Sequence, residues 1–151
     1  MVIGAVGSFM YNLFLLLHIL AVIVAFAPNF VWPFVTVRLK RENRPVGTTI
    51  NDLSSGNTAK ITGPAMVLAG IFGFGLVGLS DSVWEFSQTW LSIGMLLWFL
   101  AIAVLYGLMV PAEKKIAQGD QSAESRLSMA GGMLHLLLFL LLIVMIWKPF
   151  L

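Results

Sequence analysis

Four long apolar stretches, which carry no Asp, Glu, Lys or Arg apart from Glu85 near the start of the third, dominate this chain and limit what it can fold into. They lie at about residues 9–37, 61–80, 83–110 and 127–147. An α-helix rises 1.5 Å per residue, so roughly 20 residues cross the hydrocarbon of a bilayer and every stretch is long enough. The sequence therefore predicts an all-α protein, a single transmembrane domain over residues 1–151 built as a four-helix bundle.

The composition supports a membrane protein and excludes several other classes. Of the 151 residues, 59% are hydrophobic and 11% are charged, whereas soluble domains have about 45–50% and about 25%. There is no cysteine, so disulfides, thiolate metal sites and cysteine nucleophiles are excluded. No basic stripe interleaved with aromatic residues indicates a nucleic-acid surface, and we expect no nucleic-acid partner.

The basic residues are distributed very unevenly between the connections. Eight of the nine lie in the connections after the first and third stretches, and the ninth is Lys148. Connections rich in Lys and Arg stay in the cytoplasm. The sequence thus predicts that both termini are non-cytoplasmic, together with the connection around Asp81.

Two polar residues stand out within the apolar stretches, and they are the only histidines of the chain, His18 and His135. Each lies about 10–12 residues from the predicted outer end of its helix, which places both about 15–18 Å deep. Each also lies on a stripe of small residues, and small residues let membrane helices approach closely. We expect four glycines to face neighbouring helices, namely Gly70, Gly73, Gly94 and Gly132.

The histidine pair has three interpretations, which the sequence leaves open. Each ring can form a structural hydrogen bond across a helix interface. The pair can be the axial ligands of a b-type haem, because neutral imidazole ligates iron and bundles hold such sites between facing helices. The pair can also bind a metal ion or relay protons.

Two functions follow from these interpretations. The first is a small subunit of a membrane redox complex with a haem b or metal site at His18 and His135. The second is a non-catalytic accessory or scaffold subunit with no cofactor. Both have the lipid bilayer and other membrane subunits, or further copies of the chain, as partners. No hydrolytic triad is evident at membrane depth, and the sequence does not decide whether the protein is an enzyme.

Several short motifs carry a resemblance to a known family. They are Leu16-Leu17-His18-Ile19-Leu20 through Pro28-Asn29-Phe30, Gly63-Pro64, Phe72-Gly73-Phe74-Gly75, the segment from Trp84 to Trp90, Pro111-Ala112-Glu113-Lys114-Lys115, and Trp147-Lys148-Pro149. Over nearly its whole length the chain resembles small bacterial integral membrane proteins grouped as domain of unknown function 2269. That resemblance implies four spans and a multi-pass location in the bacterial inner membrane.

A more distant resemblance rests on His18 in its Leu-His motif early in the first span. In this respect the chain is similar to the four-span protoporphyrinogen oxidase of the haem pathway and to copper-resistance membrane domains. The resemblance implies a functional role for His18 alone.

Overall fold

The computed structural model describes residues 5–46, 49 and 56–150, and this part of the chain is all helical. Four helical segments are long and apolar enough to cross a membrane. They are Phe9–Arg41, Thr58–Gly78, Thr89–Ala117 and Ala123–Trp147. The predicted all-α architecture with four membrane-spanning helices is thus confirmed for the described residues, whereas the orientation of the termini stays a prediction.

The four spans contain five α-helices and two π-helical turns. The helices are α1 (Phe9–Arg41), α2 (Gly63–Gly78), α3 (Thr89–Val104), α4 (Val110–Ala117) and α5 (Ala123–Trp147). The π-helical turns, Thr58–Thr62 and Leu105–Met109, precede α2 and α4 directly. A proline follows each turn two residues later, Pro64 and Pro111. Proline has no N–H to continue the helical ladder, so the wider turns lie where an α-helix is hardest to sustain.

The third span begins later and ends later than the sequence indicated. Residues 79–88 form a turn, in which Asp81 and Ser82 adopt left-handed backbone conformations (φ 53° and 65°). The Ser80 hydroxyl donates to the Val77 carbonyl and accepts from the Trp84 N–H, so this turn satisfies its own buried polar groups. At the other end the helix continues past Pro111 to Ala117, because the π-helical turn before the proline accommodates it.

The helices pack as two antiparallel pairs. α1 lies along α2, and α3 lies along α5, while contacts between the pairs are far fewer. The pairs meet in a core at one end of the bundle, which we call the Glu113 end. The buried residues of this core include Ala25, Ala101, Leu105, Ala130 and Leu134. Its small side chains bring the helices together at this end.

A polar contact at the Glu113 end ties the second span to the third. The Thr58 hydroxyl, in the first π-helical turn, donates to the Glu113 carboxylate in α4. Next to it, a Cβ atom built on Gly63, the first residue of α2, would overlap the Tyr106 hydroxyl of the second π-helical turn, so the glycine allows this close approach. The opposite end, where α1 begins and α5 ends, we call the Trp84 end.

Candidate functional site

His18 is held by a hydrogen bond between the two helices of the first pair. Its Nδ1 lies 2.7 Å from the main-chain carbonyl oxygen of Ala69 on α2. A carbonyl oxygen only accepts, so Nδ1 donates and, in the neutral ring, Nε2 keeps its lone pair. A Cβ atom on Gly73 would lie 3.3 Å from His18 Cε1, which shows how closely the ring packs on α2. The imidazole is therefore fixed in orientation, and Nδ1 is the ring nitrogen that forms a hydrogen bond among the described residues.

The His18 ring forms part of the wall of a cavity of about 630 Å³. This cavity lies between the two helix pairs at the Trp84 end, beyond the point where the core holds them together. Its walls are almost entirely apolar, and they come from both pairs. They include Phe26, Phe74, Trp98, Leu138, Leu141 and Met145. His18 is thus the ionisable residue that this wall carries at membrane depth, away from Tyr11 and Lys148 near the Trp84 end.

Glycines shape the cavity by admitting large side chains from neighbouring helices. A Cβ atom on Gly70 would overlap the Trp98 ring, and one on Gly94 would lie only 2.6 Å from Met145 Cε. Trp98 is also anchored, because its Nε1 donates to the Met66 carbonyl oxygen over 2.9 Å. The prediction that Gly70, Gly73 and Gly94 face other helices is confirmed.

Gly132 does not follow that prediction. No atom lies within 4 Å of a Cβ atom built there, and the residue is exposed. The buried stripe of α5 runs through Ala130, Leu134 and Leu138. Gly132 is two residues from that stripe, about 200° around the helix, so it faces away from the bundle.

The cavity opens sideways, toward the position of the lipid. Its most exposed lining residues are Ile19 (46%) and Ile23 (55%) on α1, and Ile146 (67%) on α5. α1 and α5 make few contacts with each other, and these exposed isoleucines lie on both sides of the gap between them. The gap is apolar on both sides.

Polar groups line the part of the cavity nearest the Trp84 end, which we call its mouth. Trp84 Nε1 donates to the Tyr11 hydroxyl over 3.1 Å. Lys148 Nζ lies 4.0 Å from the centroid of the Trp84 ring and 5.6 Å from that of Trp90. Sequence reasoning missed this group as a site, although Lys148 is the one basic residue outside the two basic connections.

His135 lies in a different environment from His18. Its Nδ1 is 2.9 Å from the Gly131 carbonyl oxygen, one turn back on its own helix. Its ring packs edge-on against Phe30, with the ring centroids 5.5 Å apart. His135 is absent from the cavity wall that contains His18.

The structure does not bring the two histidines together. Phe30, which touches His135, is twelve residues beyond His18 on α1, or about 18 Å along the helix axis. Ligation of one metal atom requires both ring nitrogens within about 2 Å of it. Counting residues from the helix ends places both rings at one depth only if α1 and α5 end level and run parallel. Phe30 lies 21 residues into α1, whereas His135, which it contacts, lies 12 residues from the end of α5, so that condition is not met.

No group of three or more His, Asp or Glu side chains is arranged to hold a metal ion in the described part of the chain. Neither a protein-family model, nor a curated protein, nor a solved structure matches this chain. The resemblances drawn from its short motifs stay expectations, and the function has to be argued from the geometry at His18.

Proposed function

We propose that this integral membrane protein binds one haem b in the cavity at the Trp84 end, with His18 as the iron ligand, and acts as a small one-electron component of a membrane redox complex. The proposal rests on the hydrogen bond and the position of the His18 ring. Its Nδ1 is anchored on the Ala69 carbonyl and the residue lines the cavity, so the neutral ring has an Nε2 lone pair to offer to a metal. Metal-bound histidines almost always donate their other ring N–H to such a partner, which fixes the ring and raises its basicity.

The cavity matches what a haem requires of a protein. Its volume of about 630 Å³ lies within the roughly 300–1,000 Å³ of cofactor pockets, which are mostly apolar with few polar groups. A haem is flat and apolar apart from its iron and its two carboxylates. A space between two helix pairs, with aromatic and aliphatic walls and one imidazole, suits such a group.

Each part of the site has a distinct task in this proposal. His18 holds the iron, and the Ala69 carbonyl fixes the plane and the tautomer of the ring. The apolar walls exclude water and set a low dielectric around the cofactor, which influences its reduction potential. Haem, when bound, supplies one-electron transfer. His135 takes no part, so the site has one histidine ligand instead of the two predicted from the sequence.

The second candidate is the accessory subunit without a cofactor. The His18–Ala69 hydrogen bond also favours this candidate, because it joins two membrane helices and can serve only to hold them together. Side-chain hydrogen bonds between membrane helices contribute about 0.6 kcal/mol on average. Under this candidate both histidines are structural, and the open gap between α1 and α5 is covered by another subunit or a second copy of the chain.

The two histidines provide a matched pair of variants that separates the candidates. We expect His135→Ala to bind haem with an unchanged Soret band and His18→Ala to lose that band, because only His18 reaches the cavity. Absorption spectra of the purified proteins measure this. Added imidazole should restore the band in His18→Gly, which shows that the loss concerns ligation and not folding. A colourless wild-type protein, or loss of the band in His135→Ala alone, contradicts the proposal.

A further inference from the structure

A cation and a hydroxyl lie at the mouth of the haem cavity: among the described residues, Lys148 forms no ion pair and the Tyr11 hydroxyl proton has no acceptor. We propose that Lys148 and Tyr11 bind the carboxylates of the haem, so that the macrocycle enters with its anionic edge toward the Trp84 end. This inference rests on the proposed function. It identifies the end of the cavity at which the charged edge of the haem lies and the residues that recognise that edge.

Lys148 carries a charge that is held in place but not neutralised. Its ammonium lies over the Trp84 ring, with Trp90 beside it. The ion pairs among the described residues are Arg38–Glu42 and Arg44–Glu42, both in the connection after α1. Lys148 has a left-handed backbone (φ 44°, ψ 59°), and its N–H bonds the Val144 carbonyl. That conformation is uncommon for a residue other than glycine, and here it directs the side chain back over the bundle.

Tyr11 supplies a second donor at the same height. Its oxygen already accepts a hydrogen bond from Trp84 Nε1, so the hydroxyl proton is available to another acceptor. Tyr11 and Lys148 both line the cavity and both contact Trp84. A carboxylate at the mouth would receive one charge-assisted contact and one O–H···O bond.

The distance along α1 relates the mouth to the iron ligand. Tyr11 precedes His18 by seven residues, which is two helical turns or about 10 Å. The carboxylates of a haem lie on one edge of the ring, so iron at His18 and carboxylates at Tyr11 describe a single orientation. The reverse orientation would direct two carboxylates into the core of Ala25, Leu105 and Leu134, which offers no cation. Buried charges without partners are strongly disfavoured.

The test compares haemin with its dimethyl ester, in which both carboxylates are blocked, by absorption titration of the full-length protein in lipid nanodiscs. We expect the wild-type protein to bind haemin about tenfold more tightly than the ester, as one lost charge-assisted hydrogen bond implies. Lys148→Met keeps the apolar stem and removes the charge, so it should bind both forms with the weaker affinity. Lys148→Arg, which keeps the charge, should retain the preference for haemin over the ester, and Tyr11→Phe should reduce that preference.

Lys114→Met, at the Glu113 end, is the matched control and should behave as wild type. Equal binding of haemin and ester by the wild-type protein overturns this inference and leaves the proposed function standing. Retention of the full preference in Lys148→Met overturns it as well. Absence of saturable binding of either form overturns the proposed function, and this inference with it.

Discussion

The two histidines, equivalent in the sequence, differ in the structure because of where each finds a hydrogen-bond acceptor. His135 reaches the Gly131 carbonyl on its own helix, so its contact requires no neighbour. His18 reaches across to Ala69 on α2, and this contact sets the ring at the edge of a cavity. Depth and helical spacing identify polar residues inside a membrane, but they do not reveal which acceptor a ring selects.

The His18 ring packs closely on Gly73, and this contact gives a prediction at the scale of single residues. We expect Gly73→Leu to destabilise the bundle by about 1–3 kcal/mol, because the added side chain has to displace the imidazole from α2. The expected readout is a lower melting temperature in detergent. Gly132→Leu is the matched control, since nothing lies within 4 Å of a Cβ atom there. Equal melting temperatures for the two variants would show that His18 is not packed against Gly73.

At the scale of helices, the sequence predicted the existence of all four spans but not their ends. Long uncharged apolar runs have one stable solution in lipid, so their helical state follows directly. The ends depend on local chemistry that the apolar pattern does not contain. Ser80 closes a turn that delays α3 to Thr89, and a π-helical turn carries the chain through Pro111.

The choice of helix partners could not be read from the sequence. Stripes of small residues permit close approach to any neighbour, so they predicted that Gly70 and Gly94 are packed without identifying Trp98 and Met145 as the contacts. The cavity follows from this pairing, because two tight pairs joined mainly at the Glu113 end leave a space at the other. His18 could be predicted as a candidate, whereas the mouth at Lys148 needed the three-dimensional arrangement.

The orientation of the helices in the membrane is the prediction that belongs to this scale. We expect the basic connections to be cytoplasmic and the Trp84 end to face outward. The chain has no cysteine, so single cysteines can be labelled cleanly. Ser87→Cys should react with an impermeant thiol reagent in intact cells, and Gln121→Cys should react only after the membrane is opened. The opposite pattern would reverse the orientation.

At the scale of the whole molecule, the bundle combines a closed end with an open one. Small buried residues and the Thr58–Glu113 contact hold the spans together at the Glu113 end. The Trp84 end has an apolar cavity that opens toward the lipid between α1 and α5, with His18 in its wall and Lys148 at its mouth. This shape suits the proposed function, in which the open end holds one flat, apolar cofactor that carries a charged edge.

The most direct test of this account is a titration of the wild-type apoprotein in lipid nanodiscs with haemin, followed by Soret absorption and by the spin state of the iron. Empty nanodiscs are the control, because haemin also dissolves in lipid. The account predicts saturation at one haem per chain, with the spectrum of a ferric haem bound to a single histidine. A linear rise identical to that of empty nanodiscs, or a bis-histidine spectrum, would contradict it.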